Sequence, residues 1–352
     1  MDQPFSNKKI TAGLRIFVIL TIAGFGLIFY LNSSAETWTA LMQFNLFYIL
    51  VALVVVAIDI ISGTMRIYVF IRKLPGFNAR KSFAVAFQAN LANAFVAATT
   101  PFQTGGGLAQ IYMLTRHSIS LGRASSLSIM NFVATIIFLV TSGIPALLYV
   151  ANLNTGIKFQ FILKYAAIFL CLVLVLFFIF LFKPLWIGSA LEHLLISLGN
   201  LNTKHRDRFR RMSEKLHCHV EEYYENIRTY WRTEKTILLF NLFYTYTLFY
   251  SKSVIAYIIL RGVGLTPNFI QVVSIQIFLT FIIYFMPTPG ASFLAENTAA
   301  AIMTTVIPKS IIPIYSVLWR FFGYYFAVII GGIFIIRTIG KKREKQTNEH
   351  SD

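Results

Sequence analysis

Two interruptions decide how this chain is read: Thr100-Pro101-Phe102-Gln103-Thr104-Gly105-Gly106-Gly107 and Met286-Pro287-Thr288-Pro289-Gly290. Each cuts an apolar stretch, 82–116 and 268–307, with residues that end helices, and each stretch resumes an apolar pattern afterwards. Broken backbone at membrane depth survives only where protein surrounds it or where it lines a polar cavity. Both stretches therefore read as helical hairpins with an unwound tip.

Working outward, apolar runs at 13–31, 45–71, 123–150, 160–182, 236–260 and 311–336 are each long enough to cross a bilayer. The 352 residues are 57% hydrophobic and 13% charged, with a mean hydropathy of +0.67. A soluble chain carries about a quarter charged residues. The expected fold is all-α: a polytopic membrane protein of about six full spans plus two hairpins. Ser33 and Ala35 mimic a cleavage site, but the first run is long for a signal peptide and reads as a retained helix.

The net charge of +17 invites a nucleic-acid reading, and its placement argues against one. Arg72, Lys73, Arg80, Lys81, Arg116, Arg123, the basic stretch 183–235 and Lys341, Lys342, Arg343 and Lys345 all fall on one side of the alternating spans. Lys158, Arg261 and Lys309 fall on the other. This is positive-inside asymmetry, and it places both termini in the cytoplasm of a bacterial cell, with anionic lipid as the expected electrostatic partner. Cys171 lies in an apolar run and Cys218 in a basic loop, so no disulfide is expected.

The expected divisions are 1–44, 45–150, 151–182, 183–235, 236–336 and 337–352. Span, hairpin, span at 45–150 recurs at 236–336, entered from the opposite side. A shift of 186 residues lays Pro101 on Pro287, Leu108-Ala109-Gln110 on Leu294-Ala295-Glu296, and Arg66 on Lys252. Break positions and opposite polarity together read as an inverted-topology repeat. In 183–235, Phe209, Met212, Leu216, Val220, Tyr223, Ile227 and Tyr230 form one stripe of a long amphipathic helix. It is expected to pack beneath the membrane domain.

Ionisable residues inside spans are costly and so are functional candidates. Asp59 and Glu296 are the acids; Arg66, Lys164, Lys252 and Arg320 are the bases. Arg66 and Lys164 lie near span ends, where a long side chain reaches the interface. Lys252 and Arg320 lie deeper, and either pair with Asp59 and Glu296 or line a wet cavity that receives an anion. Where helices restart after Gly105-Gly106-Gly107 and after Gly290, free N–H groups and the positive dipole end suit a phosphate. Gln103, Thr104, Gln110, Thr288 and Ser292 add polar groups. Enzyme signals are weak. His217, Cys218 and His219 are adjacent and cannot share the helix face a zinc site needs, and no nucleotide loop or nucleophile elbow is present. No cofactor and no metal are expected.

The first break, continued as Leu108-Ala109-Gln110-Ile111-Tyr112-Met113-Leu114 and followed by Ser120-Leu121-Gly122-Arg123-Ala124, resembles a signature of the lysylphosphatidylglycerol synthase transmembrane, or flippase-like, family. The second, Pro287-Thr288-Pro289-Gly290 with Ala295-Glu296, resembles that family's other signature. Phe293-Leu294 stands where the family keeps small residues, commonly Gly. The resemblance covers about 10–340 and implies the lipid-translocating membrane half of the family, not its aminoacyl-transferase half. The expected function is flippase-type transport of a phospholipid or lipid-linked anion. Alternatives are a membrane-embedded transferase with Glu296 as base, and a scaffold presenting lipid to a synthesis enzyme. A second copy of the chain is a further candidate partner.

Overall fold

A computed structural model describes residues 7–151, 206–284 and 286–334. Among these the chain is helical throughout and forms no strand. The helices are α1 (Asn7–Asn32), α2 (Ala35–Met42), α3 (Phe47–Ile71), α4 (Ala79–Ala98), α5 (Gly105–Arg116), α6 (Leu121–Phe138) and α7 (Ile144–Ala151). They continue as α8 (Arg206–Arg232), α9 (Lys235–Gly262), α10 (Phe269–Ile283), α11 (Leu294–Met303) and α12 (Ile312–Arg320), with a further helical stretch at 326–334. The expected span 160–182, Lys164, Cys171, the stretch 183–205 and the basic tail lie outside the described residues.

Four helical segments are long and apolar enough to cross a membrane: Ala12–Asn32, Phe47–Ile71, Leu121–Ala151 and Lys309–Phe334. The chain is a polytopic all-α membrane protein. Helix α9, at 28 residues, has the length to cross, about 40 Å at helical rise. By contrast α5, α10 and α11 hold 12, 15 and 10 residues, about 15–22 Å each, short of a hydrocarbon core of about 30 Å.

Each hairpin has a local cause. Asn78 caps α4 by accepting a hydrogen bond from the Lys81 N–H, and Asn268 caps α10 by accepting from Gln271. At the tips, short 3₁₀ turns at Pro101–Gln103 and Pro289–Ala291 each begin with proline at a position where its missing N–H costs nothing. Each then turns through paired left-handed residues: Phe102 and Gln103 at φ 52° and 55°, Gly290 and Ala291 at 58° and 56°. The two tips touch, with the Phe102 N–H donating to the Met286 carbonyl at 3.3 Å.

The same order of elements occurs twice, over 47–151 and over 235–334. A long helix (α3, α9) is followed by a capped helix, a 3₁₀ break, a short helix, and a helix interrupted by a π turn at Leu139–Gly143 or Phe321–Tyr325. Helices α3 and α9 pack along each other. A polar ladder joins α3, α6 and α9: Asn241 Nδ2 donates to Asn131 Oδ1 at 2.5 Å and to the Arg66 carbonyl at 3.2 Å. Such amides hold helices together where lipid removes the hydrophobic drive.

Helix α8 docks on α6 through the second half of its stripe. Ile227 and Tyr230 are buried, and Tyr230 meets Phe70 edge-on at 5.0 Å. Glu222 accepts from Ser120, and Gly122 lies so close beneath His219 and Glu222 that a Cβ there would come within 2.7 Å of the carboxylate. Met212 departs from the expected stripe: it is 47% exposed.

Candidate functional site

The hairpins, α3, α6, α9 and α12 enclose a cavity of about 860 Å³. Of the residues singled out from sequence, Arg66, Gln103, Thr104, Gln110, Lys252 and Arg320 line it. Asp59, Gly105, Gly106, Thr288, Gly290, Ser292 and Glu296 do not. Lys252 and Arg320 combine an ion pair with a place on the cavity wall.

Arg320 is 2% exposed and Glu296 fully buried. Arg320 Nε donates to Glu296 Oε1 at 2.7 Å and Nη2 donates to the Gly290 carbonyl at 2.8 Å. The Tyr325 hydroxyl also donates to Glu296 Oε1, at 3.1 Å, and the guanidinium carbon sits 4.7 Å from the Tyr324 ring centroid. Glu296 Oε2 has no hydrogen-bond partner. On the other side Lys252 Nζ lies 3.8 Å from Asp59 Oδ1, a looser pair with Lys252 one-third exposed. Glu296 therefore holds Arg320, while Asp59 faces Lys252 and also lies within electrostatic reach of Arg66.

Arg66 does not reach for the interface. It turns inward, its Nη2 donating to the Asn131 carbonyl at 2.5 Å and to Thr135 Oγ1 at 2.9 Å, while its Nε is buried without a partner. Two further donors complete the wall: Asn93 Nδ2 donates to Gln110 Oε1 at 3.3 Å, leaving Gln110 Nε2 buried and unpaired.

The breaks contribute differently from the sequence expectation of N–H groups aimed at an anion. Gly105 donates its N–H to Thr100 Oγ1 at 3.0 Å. A Cβ on Gly105 would lie 2.6 Å from Thr100 Cγ2, and one on Gly106 2.8 Å from Asn93 Oδ1. These two glycines seat α5 against α4, and at this tip Gly107 reaches the cavity instead. At the second break Gly290 offers Arg320 its carbonyl, Ser292 accepts from Thr21 at 3.2 Å, and half-buried Thr288 keeps its hydroxyl buried and unpartnered. Glycine is required at 290, because φ is 58° and a Cβ would sit 2.9 Å from Phe17 and 3.0 Å from Tyr324 Oη. Phe293, at φ 69° and ψ −52°, occupies a conformation glycine favours, the physical counterpart of the departure from the family pattern.

Beyond Gln103 and Gln110, the wall carries amides and phenols that the sequence left unmarked. Asn90, Asn93, Asn131, Gln276, Tyr284 and Tyr324 all line the cavity. Asparagines inside apolar runs were the available signal, since an amide in lipid needs a partner.

A relative from Archaeoglobus fulgidus, described as a UPF0104 membrane protein, is 22% identical over 333 residues, covering 93% of this chain and 98% of the relative. No solved structure matches the chain. The family model for the lysylphosphatidylglycerol synthase TM region matches residues 12–331, and the chain belongs to that family.

Proposed function

We propose that the protein moves a lipid across the cytoplasmic membrane, its anionic headgroup entering the cavity while its acyl chains stay in the bilayer. The observation that carries this reading is the sign of the wall. Every ionisable group in the cavity lining is a base or a phenol: Arg66, Lys252, Arg320, Tyr284 and Tyr324. The carboxylates Asp59 and Glu296 stand behind the wall. A cavity with low-dielectric walls and cations on its surface concentrates anions.

An amphipathic substrate is favoured by the rim. Phe102, Leu108 and Phe132 line the cavity and are 42%, 61% and 36% exposed, an apolar rim on which acyl chains would lie. The twice-repeated order of elements, with touching tips, supports two inverted repeats that rock about the cavity. In this reading the protein is a transporter and not an enzyme, both termini are cytoplasmic, and α8 lies beneath the membrane domain.

The test is reconstitution into vesicles with a fluorescent anionic phospholipid, following its appearance in the opposite leaflet. Lys252→Met and Arg320→Met should each slow transfer about tenfold or more, the loss of one charge-assisted contact. Folded variants that transfer at the wild-type rate would remove both residues from the site.

A further inference from the structure

The cavity carries a specific charge surplus, and that surplus selects among anions. Lys252 is balanced by Asp59 and Arg320 by Glu296. Arg66 lines the cavity and has no carboxylate within ion-pair distance; its hydrogen bonds go to the Asn131 carbonyl and Thr135 Oγ1, and the Asp59 charge that it senses is shared with Lys252. Counting these five groups, the site holds three positive and two negative charges, a surplus of one. Between the low-dielectric walls of such a cavity, an uncompensated charge of either sign is costly, so the occupant that fits brings one negative charge.

We propose, building on the reading above, that the cavity selects a phosphodiester headgroup of net charge minus one, with Arg66 as its counter-charge. The unpaired polar atoms support this assignment. Arg66 and Gln110 line the cavity, and each carries one donor, Nε and Nε2, that is buried without a partner. A turn of either side chain toward the cavity would give its donor a partner on a ligand with acceptors to spare and no proton to offer, as a phosphodiester has. A phosphomonoester brings two charges and overfills the site, a zwitterionic headgroup leaves Arg66 unbalanced, and a net cation adds to the surplus.

The experiment incubates the purified full chain with mixed vesicles of phosphatidylglycerol, phosphatidylcholine and phosphatidic acid, then quantifies the lipid retained after repurification. Mildly alkaline buffer keeps phosphatidic acid doubly charged, since the second ionisation of a phosphate monoester lies near pH ~6. Wild type should retain phosphatidylglycerol about tenfold over both others. Arg66→Gln should lose that enrichment. Asp59→Asn, which raises the surplus to two, should shift the preference to phosphatidic acid. Glu296→Gln makes the same charge change at the other pair and serves if Asp59→Asn does not fold.

Equal retention of singly and doubly charged lipids by wild type and by the surplus-of-two variant overturns the selectivity and leaves anionic-lipid transport standing. Retention of no anionic lipid above phosphatidylcholine overturns both. A polyprenyl phosphodiester, with the same charge on a different tail, separates the sources. Displacement of phosphatidylglycerol by it assigns a carrier lipid, and retention of phosphatidylglycerol assigns a glycerolipid.

Discussion

Glu296 and Arg320 illustrate how much depends on single side chains. Both are buried, and removing one partner leaves a bare charge in the membrane interior. Glu296→Ala should destabilise the protein by about 3–5 kcal/mol, whereas a double change of Glu296 and Arg320 to Met should recover most of the loss. Thermal melts of the three proteins in one detergent check this, and a double variant no more stable than the single one would argue against the pair. His117 offers a residue-scale test at the helix end. It donates from Nε2 to Gln88 Oε1 at 2.9 Å, and burial, with Arg116 and Lys81 beside it, holds its pKa below the ordinary 6.5. As pH falls through 6.5 the unfolded chain takes the proton first, so this group's stability contribution is complete above 6.5 and declines below it. Melts of His117→Gln should depend less steeply on acid pH than those of wild type.

At the scale of elements, the hairpin of α4 and α5 rests on small residues. Gly106→Leu would drive a side chain into Asn93 and break its hydrogen bond to Gln110, at a cost of about 1–3 kcal/mol. Lower melting together with slower lipid transfer would show that hairpin packing and cavity wall are one unit; melting unchanged from wild type would contradict the close packing. Pro101 and Gly290 were legible as breaks because proline and positive φ act locally. The role of Gly105 and Gly106 was not legible, since nothing in a glycine triplet distinguishes a helix contact from an anion nest. Helix α8 was legible by period; Ile227 and Tyr230 are buried as its stripe implied, and Met212 is exposed. An apolar stripe states which face is buried, not how far along the helix the neighbour extends.

For the whole molecule, sidedness is the property most directly open to test. Cys218 is exposed on α8. In a Cys171→Ser background, an impermeant maleimide should label it in inside-out vesicles and not in intact cells. Labelling from outside would invert the orientation read from the charges.

Class and materials were determined by the sequence alone: an all-α membrane protein, its two breaks, and the handful of ionisable residues inside its spans. Hydropathy, helix-breaking and charge asymmetry are sums over neighbouring residues, so they survive without a fold. The tertiary structure decided which of those residues meet. Lys252 pairs with Asp59 from a helix far away in sequence, Arg320 reaches Glu296 and the Gly290 carbonyl, and Arg66 turns toward Asn131 instead of the interface. Whether a buried base is neutralised or left as surplus depends on distances of a few ångströms between separate helices. Only packing sets those distances, and with them the charge the cavity presents.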